Sequence, residues 1–210
     1  EPIEAKIDVT DMPDSDYDKI VNRLEAYGKK YCFNRNDGTL SFNKSDFGNT
    51  YKDIIGVLHM LVRPGNTVIG AASEDTNVLG AAQELSAGDI ESAEYKADEN
   101  CIYININESG KSKSADFAGK KVYAVIDDTL RCSEGSISVD GDKIIIKCEY
   151  NVMGFAPTGV ADTSTENYLK LLTTVINGGA LTKEYNISID EKYGITPSPS
   201  PTPEPVAEAT

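Results

Sequence analysis

The sequence predicts a single α+β domain with a mainly antiparallel sheet, about four helices and a proline-rich tail. Segments with the apolar spacing of helices lie mostly towards the two ends of the chain, and segments rich in Ile, Val and Tyr fill the middle. A hydrophobic content of 40% over 210 residues is enough for a sizeable core. We therefore place the globular domain at residues 1–194 and an extended linker or stalk at residues 195–210, with a possible lobe boundary near Gly88.

The first half of the domain is predicted to alternate between strands and helices. Apolar residues recur at helical spacing in three segments, and Asn36-Asp37-Gly38 has the composition of a hairpin turn. A capping-box-like Ser15 and Gly28 mark the two ends of the first helix. In chain order we expect a strand at 5–10, a helix at 15–27, a hairpin at 31–43, a helix within 45–62, a strand at 67–71 and a helix at 76–85.

The second half is predicted to consist mainly of strands that are joined by short turns. Ser133-Glu134-Gly135 and Asp140-Gly141-Asp142 supply the turn residues. One helix follows, with Asn177-Gly178-Gly179 at its end. In chain order we expect strands at 101–106, 121–129, 136–139 and 143–152, a helix at 164–176 and a strand at 181–190.

The charge of the chain restricts its partners. Acidic residues outnumber basic ones by 34 to 20, which gives a net charge of -14. This surface repels nucleic acids and anionic membranes, so neither is a predicted partner. The sequence also lacks the roughly 18 consecutive apolar residues of a membrane span, so we expect no direct membrane insertion within this segment. A protein or a cell-wall component is the predicted partner, and the oligomeric state is left open.

Three features favour an extracytoplasmic location. The sequence begins Glu1-Pro2 without an initiator Met, as a processed secreted protein would. Five of the nine prolines lie within residues 196–205, where they favour an extended polyproline II stalk. The four cysteines form an even number, as in disulfide-bonded proteins. We expect a secreted or cell-surface anchored protein, for example a lipoprotein; buried thiols in a reducing cytoplasm are the alternative.

A disulfide, if one forms, is predicted between Cys132 and Cys148. Both cysteines lie close to the hairpin around Gly141. A bulged turn that pairs Ser138 with Asp142 would place the two cysteines opposite each other. A two-residue Asp140-Gly141 turn would instead place the sulfur atoms on opposite faces of the sheet, so the hairpin register decides the pairing.

The sequence contains only weak candidates for a metal site. Asp14, Asp16 and Asp18 form an acidic cluster that could bind calcium. These residues, with Asp11 before them, are more typical of a helix N-terminus, where carboxylates interact with the helix dipole and with unpaired N–H groups. No calcium, zinc or phosphate-binding motif is complete, so no cofactor is predicted.

Asp127 and Asp128 are the most enzyme-like pair in the sequence. They follow an apolar strand with Val122, Ala124 and Ile126 on its inner face, and hydrolases often carry carboxylates at such a strand end. Neighbouring strand residues point to opposite faces, however, so the pair can share a site only if the strand bends. We expect both carboxylates to be exposed at a strand end or turn.

These observations lead to two functional hypotheses. The first is a non-catalytic extracellular module for binding or assembly, displayed on the proline-rich stalk at a cell surface that we expect to be bacterial. The alternative is an extracellular hydrolase that acts on a polymer through carboxylates, with Asp127 and Asp128 as the catalytic pair. Two carboxylates that converge in a deep cleft would favour the hydrolase, and an exposed sheet edge would favour assembly.

The stalk prediction can be tested by truncation. Removing all residues after Gly194 should leave the melting temperature nearly unchanged, because alternating prolines lack the N–H donors of helices and sheets. Differential scanning calorimetry of the full and truncated chains measures the difference. A large drop in the melting temperature would mean that the tail packs on the domain.

Overall fold

A computed structural model of the chain describes residues 2–47, 51–72, 84–127, 129–132, 137–148 and 162–189. The described residues confirm the α+β class, with five α-helices and eleven strands that pair antiparallel throughout. The helices are α1 (Asp14–Tyr27), α2 (Lys44–Phe47), α3 (Tyr51–Val62), α4 (Glu108–Ser114) and α5 (Asp162–Gly178). The strands are β1 (Pro2–Ile7), β2 (Tyr31–Asn34), β3 (Thr39–Asn43), β4 (Thr67–Ala72), β5 (Ile90–Lys96), β6 (Cys101–Ile106), β7 (Lys121–Ile126), β8 (Thr129–Cys132), β9 (Ile137–Asp140), β10 (Lys143–Lys147) and β11 (Ile187–Ile189).

The described strands form three antiparallel sheets, and the sequence alone did not reveal this division. The first sheet has the order β11-β1-β3-β2 and joins the two ends of the domain. The second has the order β5-β6-β10-β9, and the third has the order β4-β7-β8. None of the helices in the described part of the chain is long and apolar enough to cross a membrane.

The buried apolar residues form one continuous cluster between the sheets and the helices. In β1 and β3 the inward residues alternate with polar ones on the outer face, as expected for a sheet with one solvated face. Helix α1 packs against α5, and α5 packs against β5. Representative core residues from these elements are Ile3, Ile7, Ile20, Leu24, Leu40, Ile54, Leu58, Leu61, Ile104, Ile144, Leu171 and Leu172.

Local sequence signals placed the first hairpin and the end of α1 correctly. Gly28 ends α1 in the left-handed conformation, with a φ of 73°. Gly38 is the last residue of the hairpin turn and has a φ of 73°, and a Cβ atom there would lie 1.9 Å from the carbonyl oxygen of Ile7. The Ile7 N–H also donates a hydrogen bond to the Gly38 carbonyl at 2.9 Å, which holds the two backbones at this short distance. Only glycine therefore fits at position 38.

Several predicted boundaries are wrong. Helix α1 begins after Pro13 without a side-chain cap, so the capping box at Ser15 does not form. The helix expected within 45–62 is confirmed by α3, while α2 at the start of this range was not predicted as a separate element. Most of the helix expected at 76–85 lies outside the described residues, but Leu85 forms a β-bridge with Ile69. The last strand is only three residues long, from Ile187 to Ile189.

Two elements were not predicted at all. Strand β5 carries three charged side chains among its seven residues, which hides its β-pattern, yet it pairs with β6 along most of its length. Helix α4 has no apolar stripe. A signal for its start was present, because the Asn107 side chain accepts a hydrogen bond from the Gly110 N–H at 3.1 Å, as an N-cap residue does.

Arg23 connects α1 to the C-terminal end of α3. Its side chain is only 1% exposed, and its guanidinium group donates to the carbonyl oxygens of Met60, Leu61, Arg63 and Pro64 at 2.6–3.2 Å. Met60 and Leu61 lie in the last turn of α3, where helix carbonyls lack partners within the helix and carry partial negative charge, and Arg63 and Pro64 follow directly. Burial lowers the pKa of Arg23 to about 10, while the carboxylates of Asp127 and Asp16 act in the opposite direction.

Replacing Arg23 should therefore destabilise the domain. We expect Arg23→Met to lower the free energy of unfolding by about 2–4 kcal/mol, because it leaves several partly buried carbonyls without a donor. Urea denaturation followed by circular dichroism measures the change. Lys19→Met is the matched control on the same helix, because among the described residues the Lys19 side chain donates one hydrogen bond, to the Ala180 carbonyl. Equal losses in the two variants would contradict this role of Arg23.

Candidate functional site

Asp127 lies at the end of β7, where the predicted strand 121–129 is interrupted. Strand β7 stops at Ile126, and Asp127 adopts a left-handed conformation with a φ of 50°. The side chain is half-buried rather than exposed as predicted. Asp128 lies outside the described residues, so its predicted exposure and its distance from Asp127 stay predictions.

The Asp127 carboxylate holds the loop between α3 and β4. It accepts hydrogen bonds from the N–H groups of Gly65 at 2.9 Å and Asn66 at 2.8 Å, and the Asp127 N–H donates to the Asn66 carbonyl at 3.0 Å. This arrangement requires glycine at position 65, because its φ is 83° and a Cβ atom would lie 2.8 Å from Nη2 of Arg23. The carboxylate therefore connects β7 to the loop that Arg23 also holds.

The three acidic candidates at the start of α1 point to different surroundings. Asp16 is fully buried, whereas Asp14 is exposed and forms an ion pair with Arg35, and Asp18 is exposed. The structure thus separates the Asp16 carboxylate from the other two. In the described part of the chain, no three acidic, histidine or cysteine side chains come together in a way that could hold a metal ion.

Asp16 instead joins α1 to the segment before β11. Its carboxylate accepts hydrogen bonds from the N–H of Thr182 at 3.0 Å, the hydroxyl of Thr182 at 2.5 Å and the hydroxyl of Tyr185 at 2.6 Å. Burial acts to raise the pKa of Asp16, but these hydrogen bonds outweigh it, so the pKa lies below its ordinary value. Asp16 is therefore ionised at neutral pH and accepts hydrogen bonds without a proton to donate.

A second buried carboxylate, that of Asp89, was not singled out in the sequence. It accepts hydrogen bonds from the Ser86 N–H at 2.9 Å and the Ser109 hydroxyl at 2.8 Å, and it forms an ion pair with Lys113 at 2.7 Å. Burial acts to raise the pKa of Asp89, but these partners lower it to about 2. Asp89 thereby connects the turn before β5 to α4. The sequence feature that could have identified Asp89 is the capping box that it forms with Ser86, three residues earlier.

The predicted hairpin registers around Gly141 are both wrong. Asp140 pairs with Lys143, so the two-residue turn consists of Gly141 and Asp142. Cys132 lies in β8 opposite Ala124 of β7, and this strand belongs to a different sheet from the one that Cys148 follows. The register on which the predicted Cys132–Cys148 disulfide depended is therefore not formed, and Cys148 has no disulfide in the structure.

The Cys148 thiol lies in the hydrophobic core. Burial, with the neighbouring Cys101 as a second cause, raises its pKa to about 12. The Cys148 N–H donates to the Asn100 carbonyl at 2.9 Å, which extends the pairing of β6 and β10 beyond the strand ends. A thiol with this pKa is protonated at neutral pH, so it is a poor nucleophile and a poor metal ligand.

An open groove of about 490 Å³ lies between α1, α5 and the outer edge of β5. Its floor includes the edge of β5, where the Asn177 side chain takes the place of a neighbouring strand. Nδ2 of Asn177 donates to the Ala93 carbonyl, and Oδ1 accepts from the Ala93 N–H, both at 2.5 Å. The residues that line the groove include Glu25, Glu94, Tyr95, Asn167, Lys170 and Thr174.

Comparison with known proteins yields only distant similarity. No protein-family model matches the sequence, and no curated protein matches it. A structure of SecDF, described as a membrane component that enhances protein export, aligns over 90% of this chain and 98% of that chain, with 13% identity and a TM-score of 0.42. A crystal structure of SecDF in a super-membrane-facing form aligns over 89% of this chain and 29% of that chain, with 12% identity and a TM-score of 0.45. Values this low establish neither a common fold nor a common function.

The role of Asp89 predicts an acid-sensitive contribution to stability. Because the folded-state pKa of about 2 lies below the ordinary 3.8, the ionised carboxylate stabilises the fold fully above about pH 4 and loses this effect as the pH falls through 2. We expect Asp89→Asn to remove about 1–2 kcal/mol of this pH-dependent stability. Urea midpoints measured across this pH range provide the test, with the exposed Asp98→Asn as control. An unchanged pH profile in Asp89→Asn would contradict the assignment.

Proposed function

We propose that the chain is a non-catalytic module for binding or assembly, secreted or anchored at a cell surface and held away from it by the proline-rich residues 195–210. Its partner in this proposal is a protein or a cell-wall component. The observation that carries the proposal is the way in which the domain uses its carboxylates. Asp16, Asp89 and Asp127 each accept hydrogen bonds from a segment distant in sequence.

This use of carboxylates disfavours the hydrolase alternative. A glycoside hydrolase of the common type needs a carboxylic acid with a raised pKa that protonates the leaving group, together with a second carboxylate across the bond. Asp16 and Asp89 have lowered pKa values, and hydrogen bonds within the domain occupy both. The Asp127 carboxylate binds two backbone N–H groups. All three groups therefore act as acceptors within the fold.

The exposed surfaces of the domain support binding by contact. The sheet that contains β1 presents a polar outer face, on which Glu4, Lys6 and Ser188 line a shallow depression. The outer edge of β5 borders an open groove. Such faces and edges suit the recognition of another chain better than the enclosure of a small substrate.

The proposal can be tested with an insoluble bacterial cell-envelope fraction and a panel of soluble polysaccharides and denatured proteins. We expect the chain to sediment with the envelope fraction and to release no soluble fragments from any polymer, as followed by mass spectrometry. Asp127→Asn should behave like the wild type in both assays, because the amide keeps one acceptor oxygen for the loop. Asp18→Asn, an exposed replacement on α1, is the matched control.

Two results would contradict the proposal. Release of fragments by the wild type that is lost in Asp127→Asn, with unchanged circular dichroism, would make the chain a hydrolase and Asp127 a catalytic residue. A failure to sediment with the envelope fraction would remove the support for a surface-binding role.

A further inference from the structure

The outer edge of β5 has one backbone position that is capped and a second one that is not. Both main-chain groups of Ala93 bond to Asn177, so they face away from β6. In an antiparallel pair, residues two apart along a strand direct their N–H and C=O groups to the same side. Tyr95 pairs opposite Ile102, two positions from the pair of Ala93 and Ile104. The main-chain groups of Tyr95 therefore face the groove, and among the described residues no other element bonds to them.

The groove at this edge has an excess of negative charge. Glu25 and Glu94 are exposed and form no ion pair within the described residues. Lys170 also lines the groove, but Glu166 neutralises it at 2.7 Å. Two carboxylates therefore lie beside an open strand edge, in a chain whose net charge is -14.

We propose that this groove binds an extended peptide segment carrying Lys or Arg, which adds to β5 as a further strand beside Tyr95. The proposal rests on the binding function proposed above and names the class of its partner. Main-chain hydrogen bonds to Tyr95 hold the segment in the extended conformation, and its basic side chains interact with Glu25 and Glu94. The peptide pairs with β5 at Tyr95 and not at Ala93, because the Asn177 amide already occupies the partner position at Ala93.

The charge of the groove selects this partner over other extended ligands. An acidic peptide is repelled by the same two carboxylates and by the field of the whole chain. A strongly apolar strand would bury these carboxylates without compensation, which costs free energy. A segment in which basic residues alternate with small apolar ones directs its charges to one side and satisfies the strand edge with its main chain.

The experiment uses the full chain and a fluorescent peptide of about ten residues that alternates Lys and Val. Fluorescence anisotropy measures its dissociation constant, and a peptide that alternates Glu and Val is the charge control. A third peptide has the lysine sequence but carries N-methyl groups on alternate amides, so its charge is kept and its strand pairing is blocked. We expect the lysine peptide to bind, the glutamate peptide not to bind, and N-methylation to weaken binding about tenfold or more.

Matched variants separate the groove from general attraction to an acidic protein. The groove variant Glu25→Gln/Glu94→Gln and the control variant Asp18→Asn/Glu91→Gln have the same net charge, and all four carboxylate side chains are exposed. Glu91 even lies on the same strand as Glu94. We expect the groove variant to raise the dissociation constant of the lysine peptide about threefold or more, and the control variant to change it by less than about twofold.

Equal losses in the two variants would overturn the assignment to the groove, and unaltered binding of the N-methylated peptide would overturn strand addition. If the lysine peptide does not bind while the chain still sediments with the envelope fraction, the inference is wrong and the proposed function stands. If neither binding is observed, both are wrong.

Discussion

The buried guanidinium group of Arg23 is the interaction on which the arrangement of the helices depends. A cation removed from water needs several acceptors close by, and the last turn of α3 and the two residues that follow it supply four carbonyl oxygens. Because Arg23 belongs to α1, this bonding fixes α1 relative to the end of α3. It also shapes the loop at Gly65, which Asp127 then holds from β7.

The acidic residues of the domain serve two purposes. A few are buried as acceptors that connect segments far apart in the sequence, as Asp16 does between α1 and Tyr185. The others give the surface its negative charge. The first use occupies Asp16, Asp89 and Asp127 with hydrogen bonds inside the fold, and the second leaves the open groove beside β5 with an excess of negative charge. Both uses support the binding role proposed above.

Local patterns predicted several elements, and they failed where long-range contacts decide the structure. The hairpin at Gly38 and the end of α1 at Gly28 depend on a few neighbouring residues, so their signals are present in the sequence. Strand β5 and helix α4 carry weak patterns of their own. They form because β6 supplies a strand partner and because Asp89, from another segment, binds Ser109 and Lys113 of α4. Asp127 was placed correctly at a strand end, but its hydrogen-bond partners were not foreseen, and Asp128 lies outside the described residues.

The sequence by itself determined the α+β class, the positions of the strongly periodic helices and the acidic character of the surface, because these depend on composition and on spacing within short windows. Tertiary structure decided the division into three sheets, the register around Gly141 and the partners of each buried carboxylate. Those features depend on hydrogen bonds between residues as far apart as Asp16 and Tyr185. No local sequence pattern encodes such a pairing. In the unfolded chain each polar group forms hydrogen bonds with water, and its partner within the protein is decided only when folding excludes that water.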